Sequence, residues 1–60
     1  MKSNFIELHQ DGESVIINTN NICIISCAGE YDNGNTYIEL INDVEIYVDE
    51  TINQVIKCLE

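Results

Sequence analysis

The sequence predicts a β-rich α+β domain, in which about five antiparallel strands form a small meander sheet or partial barrel and one C-terminal helix packs on it. β-branched residues, isoleucine above all, recur through the first 46 residues and favour strands. Apolar and polar residues alternate over residues 5–9, 36–41 and 44–48, whereas residues 52–59 show the i, i+3, i+4, i+7 spacing of a helix. The chain has no proline and no linker-like tract, so residues 1–60 are interpreted as a single domain.

The first two strands are predicted to form a hairpin about Asp11-Gly12. This pair suits a two-residue type I′ turn, because both central residues of that turn need positive φ. Residues 5–9 alternate apolar and polar side chains before the turn, and the apolar-rich segment 14–17 follows it. The turn sets apolar residues opposite each other on one face, namely Leu8 with Val15 and Ile6 with Ile17.

A third strand is predicted from residue 22 to residue 27 or 28, after the polar break at residues 18–21. It is apolar on both faces, so its orientation stays open. The set that faces away from the core is either Ile22 and Ile24, or Cys23, Ile25 and Cys27. Asn33-Gly34 marks the turn in the loop that follows.

The fourth and fifth strands, residues 36–41 and 44–48, are predicted to form a second hairpin. A two-residue loop at Asn42-Asp43 sets an apolar residue against a glutamate. A three-residue loop with a bulge is preferred, because it pairs apolar residues with each other. Those pairs are Leu40 with Val44 and Ile38 with Ile46.

The chain is predicted to end in a helix of about residues 51–59. Thr51 and Gln54 have the spacing of a capping box, and Asp49 and Glu50 supply negative charge where a helix N-terminus favours it. The apolar stripe of the helix is Ile52, Val55, Ile56 and Leu59. The sheet face expected beneath it carries Ile6, Leu8, Val15, Ile17, Ile38, Leu40, Val44, Ile46 and Val48. A helix this short is unstable alone, so it must dock on that face.

The charge balance excludes several classes of function. Eleven Asp and Glu residues stand against Lys2 and Lys57, for a net charge of −9. Nucleic-acid binding depends on Lys and Arg that neutralise phosphates, so no nucleic-acid partner is expected. The same deficit argues against anionic membrane surfaces, and no apolar run approaches the ~18 residues of a membrane span.

A cytoplasmic location is expected. Residues 1–5 lack the apolar region of a signal peptide. Cys23, Cys27 and Cys58 make an odd number of cysteines, which fits a reducing compartment better than a disulfide framework. On a regular strand Cys23 and Cys27 lie roughly 13 Å apart, beyond the reach of a disulfide. We therefore expect free, buried thiols.

No catalytic residue, cofactor site or metal site is predicted. His9 lies beside a turn, with Glu7 on its face and Ser14 opposite, and an exposed strand residue is the preferred interpretation. Glu7, Glu39 and Glu45 are expected on an open sheet face with no basic helper. They are interpreted as solvated side chains rather than an acid–base pair.

Six segments between residues 5 and 59 form an ordered pattern: Ile6-Glu7-Leu8, Asp11-Gly12-Glu13, residues 15–18, Asn21-Ile22, residues 37–40 and residues 48–51. This pattern resembles the FlbD/SwrD-like family of small flagellar and swarming-motility proteins. The resemblance implies a non-enzymatic accessory role, and it supplies no catalytic residue. Residues 22–25, residues 37–40 and the helix also resemble the opening half of a LytTR-type DNA-binding domain. The basic second half of that domain has no counterpart here, so this resemblance implies structural kinship alone.

The opposite face of the predicted sheet is not plainly polar, and an exposed apolar patch on a small protein usually marks an interaction site. The candidate interaction face consists of Phe5, Ile16, Ile25, Tyr37, Ile41 and Tyr47. The sequence therefore predicts a non-catalytic interaction or accessory protein. Its partner is a second copy of the chain, most simply in a dimer, or a heterologous protein. The alternative is a small regulatory module that binds a basic protein, or a ligand in a pocket lined by Tyr31, Tyr37 or Tyr47.

Overall fold

The computed structural model describes residues 4–29 and 34–60, which form five antiparallel strands and one C-terminal helix. The elements are β1 (Phe5–Gln10), β2 (Glu13–Asn18), β3 (Ile22–Cys27), β4 (Thr36–Leu40), β5 (Val44–Val48) and α1 (Ile52–Leu59). The predicted β-rich α+β fold is confirmed. The strands divide between two sheets, β1-β2 and β3-β4-β5, and they do not close into a barrel. Within the described residues no helix has the length and apolar character required to cross a membrane.

The first hairpin has the predicted register. Leu8 pairs with Val15 and Ile6 pairs with Ile17. At the turn Asp11 has a φ of 50° and Gly12 a φ of 82°. Both values are positive, as a type I′ turn requires, so the turn and the apolar pattern act together to set the register.

The second hairpin has the three-residue connection that the sequence favoured. Leu40 pairs with Val44, and the short 3₁₀ turn Ile41–Asp43 joins them. Asn42 and Asp43 have φ values of 64° and 61°. Asn and Asp tolerate this left-handed backbone better than other residues with side chains, so the chain reverses within the turn.

The assignment of Ile25 to the candidate interaction face is wrong. Ile25 pairs with Ile38, which is fully buried, and it packs against the core. The cause is a break in register between Ile22 and Ile24. An extra residue at such a bulge shifts the alternation of side chains, so Ile22 and Ile25 both reach the core. Both orientations that the sequence left open assumed an unbroken period of two.

The core lies between the two sheets and the helix. Its fully buried apolar members are Leu8, Ile38, Val48 and Val55. Helix α1 contacts β1 and β3, so it lies across both sheets. Thr36 is also fully buried, which its polar side chain did not predict.

Two residues assigned to the core from the sequence are exposed instead. Val44 is 48% exposed, because it follows the turn at the rim of its sheet. Ile56 is 45% exposed. Successive helical residues are about 100° apart, so a short helix that buries Val55 turns the next residue toward solvent.

The segment after β5 joins the two sheets. The amide of Asp49 donates to the carbonyl of His9 at 2.7 Å, which places the end of β5 beside β1. The hydroxyl of Thr36 donates to the carbonyl of Glu50 at 2.7 Å, which satisfies the buried Thr36 side chain. The strands therefore follow one another in the order β2-β1-β5-β4-β3, with main-chain contact across the gap between the sheets.

Candidate interaction surface

The outer face is the side of the two sheets that points away from the core. We define it by its residues: Phe5, Glu7 and Ile16 on the first sheet, and Ile24, Tyr37, Glu39, Glu45 and Tyr47 on the second. Strand alternation places each of them on the opposite side from a core neighbour. The first group is called the hairpin half and the second the tyrosine half.

The hairpin half presents two large apolar side chains to solvent. Ile16 is 64% exposed and Phe5 is 56% exposed. Glu7 is the cross-strand partner of Ile16, and its carboxylate accepts a short hydrogen bond from the hydroxyl of Ser14. This half therefore combines apolar area with a fixed negative charge.

The tyrosine half is built around a cross-strand aromatic pair. Tyr37 and Tyr47 are direct partners on β4 and β5, with ring centroids 5.5 Å apart and planes inclined by 53°. The hydroxyl of Tyr37 donates to Oε1 of Glu39 at 3.0 Å. Desolvation, that hydrogen bond and the negative charges of Glu39 and Glu45 together raise the pKa of Tyr37 to about 12. The ring is therefore held in place and stays neutral.

Glu39 and Glu45 form an acidic pair across β4 and β5. They are direct Cα partners, and like charges opposite each other destabilise a sheet. On the other side of Glu39 its partner is Ile24, which is 49% exposed. The row thus sets two carboxylates beside an exposed apolar side chain.

The structure brings four of the six predicted interaction residues onto the outer face: Phe5, Ile16, Tyr37 and Tyr47. Ile41 is 45% exposed, but it lies in the turn beyond the end of β4. Ile25 faces the core, as described above. Ile24 takes its place on the outer face, and no signal in the sequence separates the two because a bulge leaves the residue types unchanged.

His9 belongs to a second cluster that sequence reasoning missed. Its Nδ1 lies 2.6 Å from Oε2 of Glu50, and its backbone amide donates to Oε1 of the same carboxylate at 2.9 Å. The hydrogen bond with Glu50 is the main cause that raises the pKa of His9, and the charges of Glu50, Glu7 and Asp49 add to it against desolvation. Desolvation works to raise the pKa of Glu50, but the hydrogen bonds from His9 outweigh it, so that pKa is lowered.

Asp49 completes this cluster at the tip of the first hairpin. Its carboxylate accepts hydrogen bonds from the amides of Asp11, at 3.1 Å, and Gly12, at 2.8 Å. Thr51 and Gln54 form the predicted capping box directly after it. The sequence assigned Asp49 and Glu50 to the helix N-terminus alone, whereas both carboxylates bind the distant hairpin.

The hydrogen bonds of this cluster join the first hairpin to the segment that follows β5. Ser14 is the cross-strand partner of His9, which gives a serine, a histidine and an acid in proximity. The hydroxyl of Ser14 donates to Glu7, however, so its proton is directed away from the imidazole.

Two open depressions border these groups. One, of about 410 Å³, is lined by Gln10, Asp11, Glu13 and Tyr47. The other, of about 350 Å³, is lined by His9, Gly12, Asp49, Glu50 and Gln54. Small-molecule sites are mostly apolar and enclose their ligand, whereas these depressions are open and mostly polar. Of the three tyrosines named as alternatives for a ligand pocket, Tyr47 lines the first depression, Tyr37 lines neither of the two, and Tyr31 lies outside the described residues.

The thiols of Cys23, Cys27 and Cys58 are all exposed, so the expectation that they are buried is wrong. The bulge leaves Cys23 outside the alternating pattern, and Cys27 ends its strand. Over residues 4–29 and 34–60, no group of three or more His, Cys, Asp or Glu side chains is placed to hold a metal ion.

Comparison with known proteins gave no match to this chain. No protein-family model matches the chain, and neither the curated proteins nor the solved structures gave a match. The resemblances to the FlbD/SwrD-like family and to the LytTR-type domain therefore stay predictions.

Proposed function

We propose that this protein is a non-catalytic interaction module that binds a partner protein on its outer face. The observation that carries the proposal is the alternation there of exposed apolar side chains, Phe5, Ile16 and Ile24, with the carboxylates of Glu7, Glu39 and Glu45. Large exposed apolar patches bordered by polar groups mark association sites.

The tyrosine half has the composition of a binding centre. Tyrosine is enriched among the residues that contribute most to interface affinity, because a rigid ring buries a large area at low entropic cost. Tyr37 and Tyr47 are already ordered against each other, and Tyr37 is fixed by Glu39. Little side-chain ordering is then left for the binding step, which favours affinity.

The proposal specifies a basic partner. The chain has a net charge of −9, and the outer face carries three carboxylates. Charge complementarity accelerates encounter and excludes partners of like charge. A cytoplasmic location belongs to the same proposal, supported by three exposed thiols, which stay reduced in that compartment.

A small-ligand module is the second candidate, and the depression beside Tyr47 favours it. Asp11 and Glu13 line that depression with the ring of Tyr47, so a cationic ligand suits it best. Its open, mostly polar shape suits a ligand less well than the exposed apolar side chains of the outer face suit a protein.

Affinity capture with matched variants tests the proposal. The partner retained by the wild-type chain is identified, and its Kd is compared for Ile16→Ser and for Ile56→Ser, which removes an exposed isoleucine from the helix instead. Burial of an isoleucine side chain in an interface contributes about 1.5–3 kcal/mol. Ile16→Ser should therefore bind the partner at least about tenfold more weakly than the wild type. Equal Kd values for Ile16→Ser and Ile56→Ser would contradict the assignment of the outer face as the binding surface.

The charge part of the proposal has its own matched pair. Glu39→Lys changes the outer face, and Glu13→Lys makes the same change of charge beside the first turn. Glu39→Lys should weaken binding far more than Glu13→Lys, with a smaller difference at high salt. A partner that binds Glu39→Lys more tightly is acidic and contradicts this part of the account.

A further inference from the structure

β3 differs from the other four described strands in its charge. Its sequence, from Ile22 to Cys27, contains no charged residue, whereas every other described strand carries a glutamate. These glutamates are Glu7 in β1, Glu13 in β2, Glu39 in β4 and Glu45 in β5. In a chain with a net charge of −9, this is the strand that a second negative molecule approaches with least repulsion.

β3 also lies at the edge of its sheet. It pairs with β4 on one side, and no other described strand pairs with it. Sheet edges are normally protected from pairing by charged residues, proline or bulges. β3 has neither a charge nor a proline, and its one bulge, between Ile22 and Ile24, leaves the rest of the strand in regular register. The side chains of Ile24 and Ser26 are exposed beside that edge.

We propose that two copies of this chain associate by antiparallel pairing of β3 with β3 across a two-fold axis. The two three-stranded sheets then continue into one another through main-chain hydrogen bonds. A two-fold contact uses the same patch on both copies, so an uncharged strand meets an uncharged strand and the carboxylates of β4 and β5 stay apart. A basic partner gains no charge contact from β3, which is why the edge fits a second copy.

The symmetry of this contact restricts its register. Antiparallel strands related by a two-fold axis place one residue opposite its own copy. A centre at Ile25 sets Ile24 of one copy opposite Ser26 of the other, and it brings Cys27 of each copy to the end of the paired region, beside the partner's bulge at Cys23. The exposed thiols of β3 thereby report on the pairing through interchain cross-links.

Sedimentation equilibrium of the full chain tests the proposal with two matched variants. Ile24→Glu and Ile16→Glu each place a glutamate at an exposed isoleucine of a terminal strand, directly opposite an existing glutamate. They therefore share the same change of charge and the same cross-strand repulsion. The wild type and Ile16→Glu should form a species of twice the 6.8 kDa monomer mass, and Ile24→Glu should raise the dimer Kd by more than about tenfold.

A measurement on the wild-type chain tests the proposal even if a variant fails to fold. Amide hydrogen exchange in residues 22–27 should slow as protein concentration rises, while exchange in β2 stays constant. A 6.8 kDa monomer at high micromolar concentration overturns the proposal. So does a dimer that Ile16→Glu dissociates and Ile24→Glu does not, because that result places the contact on the first hairpin. Binding of a partner on the outer face is measured in a separate experiment. The proposed function is therefore tested independently of the dimer.

Discussion

Nδ1 of His9 lies 2.6 Å from Oε2 of Glu50, and this ion pair joins the first hairpin to the segment that leads into the helix. The same carboxylate accepts the backbone amide of His9, so Glu50 holds both the side chain and the main chain of one residue. The two residues are 41 positions apart in sequence. The contact therefore ties the β1-β2 sheet to the rest of the fold.

The pH dependence of stability should show this pair. The pKa of His9 is raised above 6.5, so its contribution is fully present below pH 6.5 and is lost as pH rises through the raised value. The pKa of Glu50 is lowered from 4.5, so its contribution is present above pH 4.5 and is lost as pH falls through the lowered value. The melting temperature of the wild type should exceed that of His9→Gln most between about pH 4.5 and 6.5. A difference that stays constant to pH 9 would contradict the ion pair.

Removal of the Asp49 carboxylate should weaken the link between the hairpin tip and the end of β5. Asp49→Ala leaves the amides of Asp11 and Gly12 without their acceptor. Solvent replaces part of each bond, so we expect the free energy of unfolding to fall by about 1–2 kcal/mol. Urea denaturation measures the change, and Glu13→Ala, which removes a carboxylate from the adjacent strand, serves as the control. Equal losses in the two variants would show that Asp49 acts through its charge alone.

Relief of the acidic pair should stabilise the fold. Glu45→Lys replaces repulsion of Glu39 by attraction, which is worth about 0.2–1 kcal/mol for directly opposed residues. Glu13→Lys changes the net charge equally, but its cross-strand partner is Gln10. Thermal melts at low salt should therefore rank Glu45→Lys above Glu13→Lys and both above the wild type. The reverse order of the two variants would contradict the assigned register of β4 and β5.

A side chain at Gly34 should destabilise the fold. Its φ is 139°, and a Cβ atom there would lie 2.8 Å from the carbonyl oxygen of Val48. At Gly12 φ is also positive, at 82°, but nothing lies within 4 Å of the added atom. Gly34→Ala should cost about 1–3 kcal/mol and clearly more than Gly12→Ala, because the backbone must shift as well as strain. Equal costs, measured by denaturant titration, would mean that the loop adapts without loss.

Local features of this fold were predictable from the sequence because neighbouring residues determine them. Asp11-Gly12 set the register of the first hairpin, and the spacing of Thr51 and Gln54 located the start of the helix. Each of these features depends on residues within a few positions of one another, where turn and capping chemistry act.

Long-range features could not be predicted in this way. The bulge in β3 brings both Ile22 and Ile25 to the core, and it could not be predicted because a bulge depends on how the strand fits its neighbour and not on its composition. The carboxylates of Asp49 and Glu50 bind residues 37 to 41 positions away. Thr36 is buried because a carbonyl from the same distant segment satisfies its hydroxyl. Only the folded chain brings these groups together.

Chemical-shift mapping on this chain gives the sharpest test of the outer face as the binding surface. The ¹⁵N-labelled chain is titrated with the captured partner, and amide shifts are followed at each residue. The perturbed amides are expected to cluster on the outer face, at Ile16, Tyr37, Glu39, Glu45 and Tyr47, while those of Val55 and Ile56 on the helix stay unchanged. Perturbations centred on the helix, or on the depression beside His9 and Glu50, would contradict the assignment of the outer face as the binding surface.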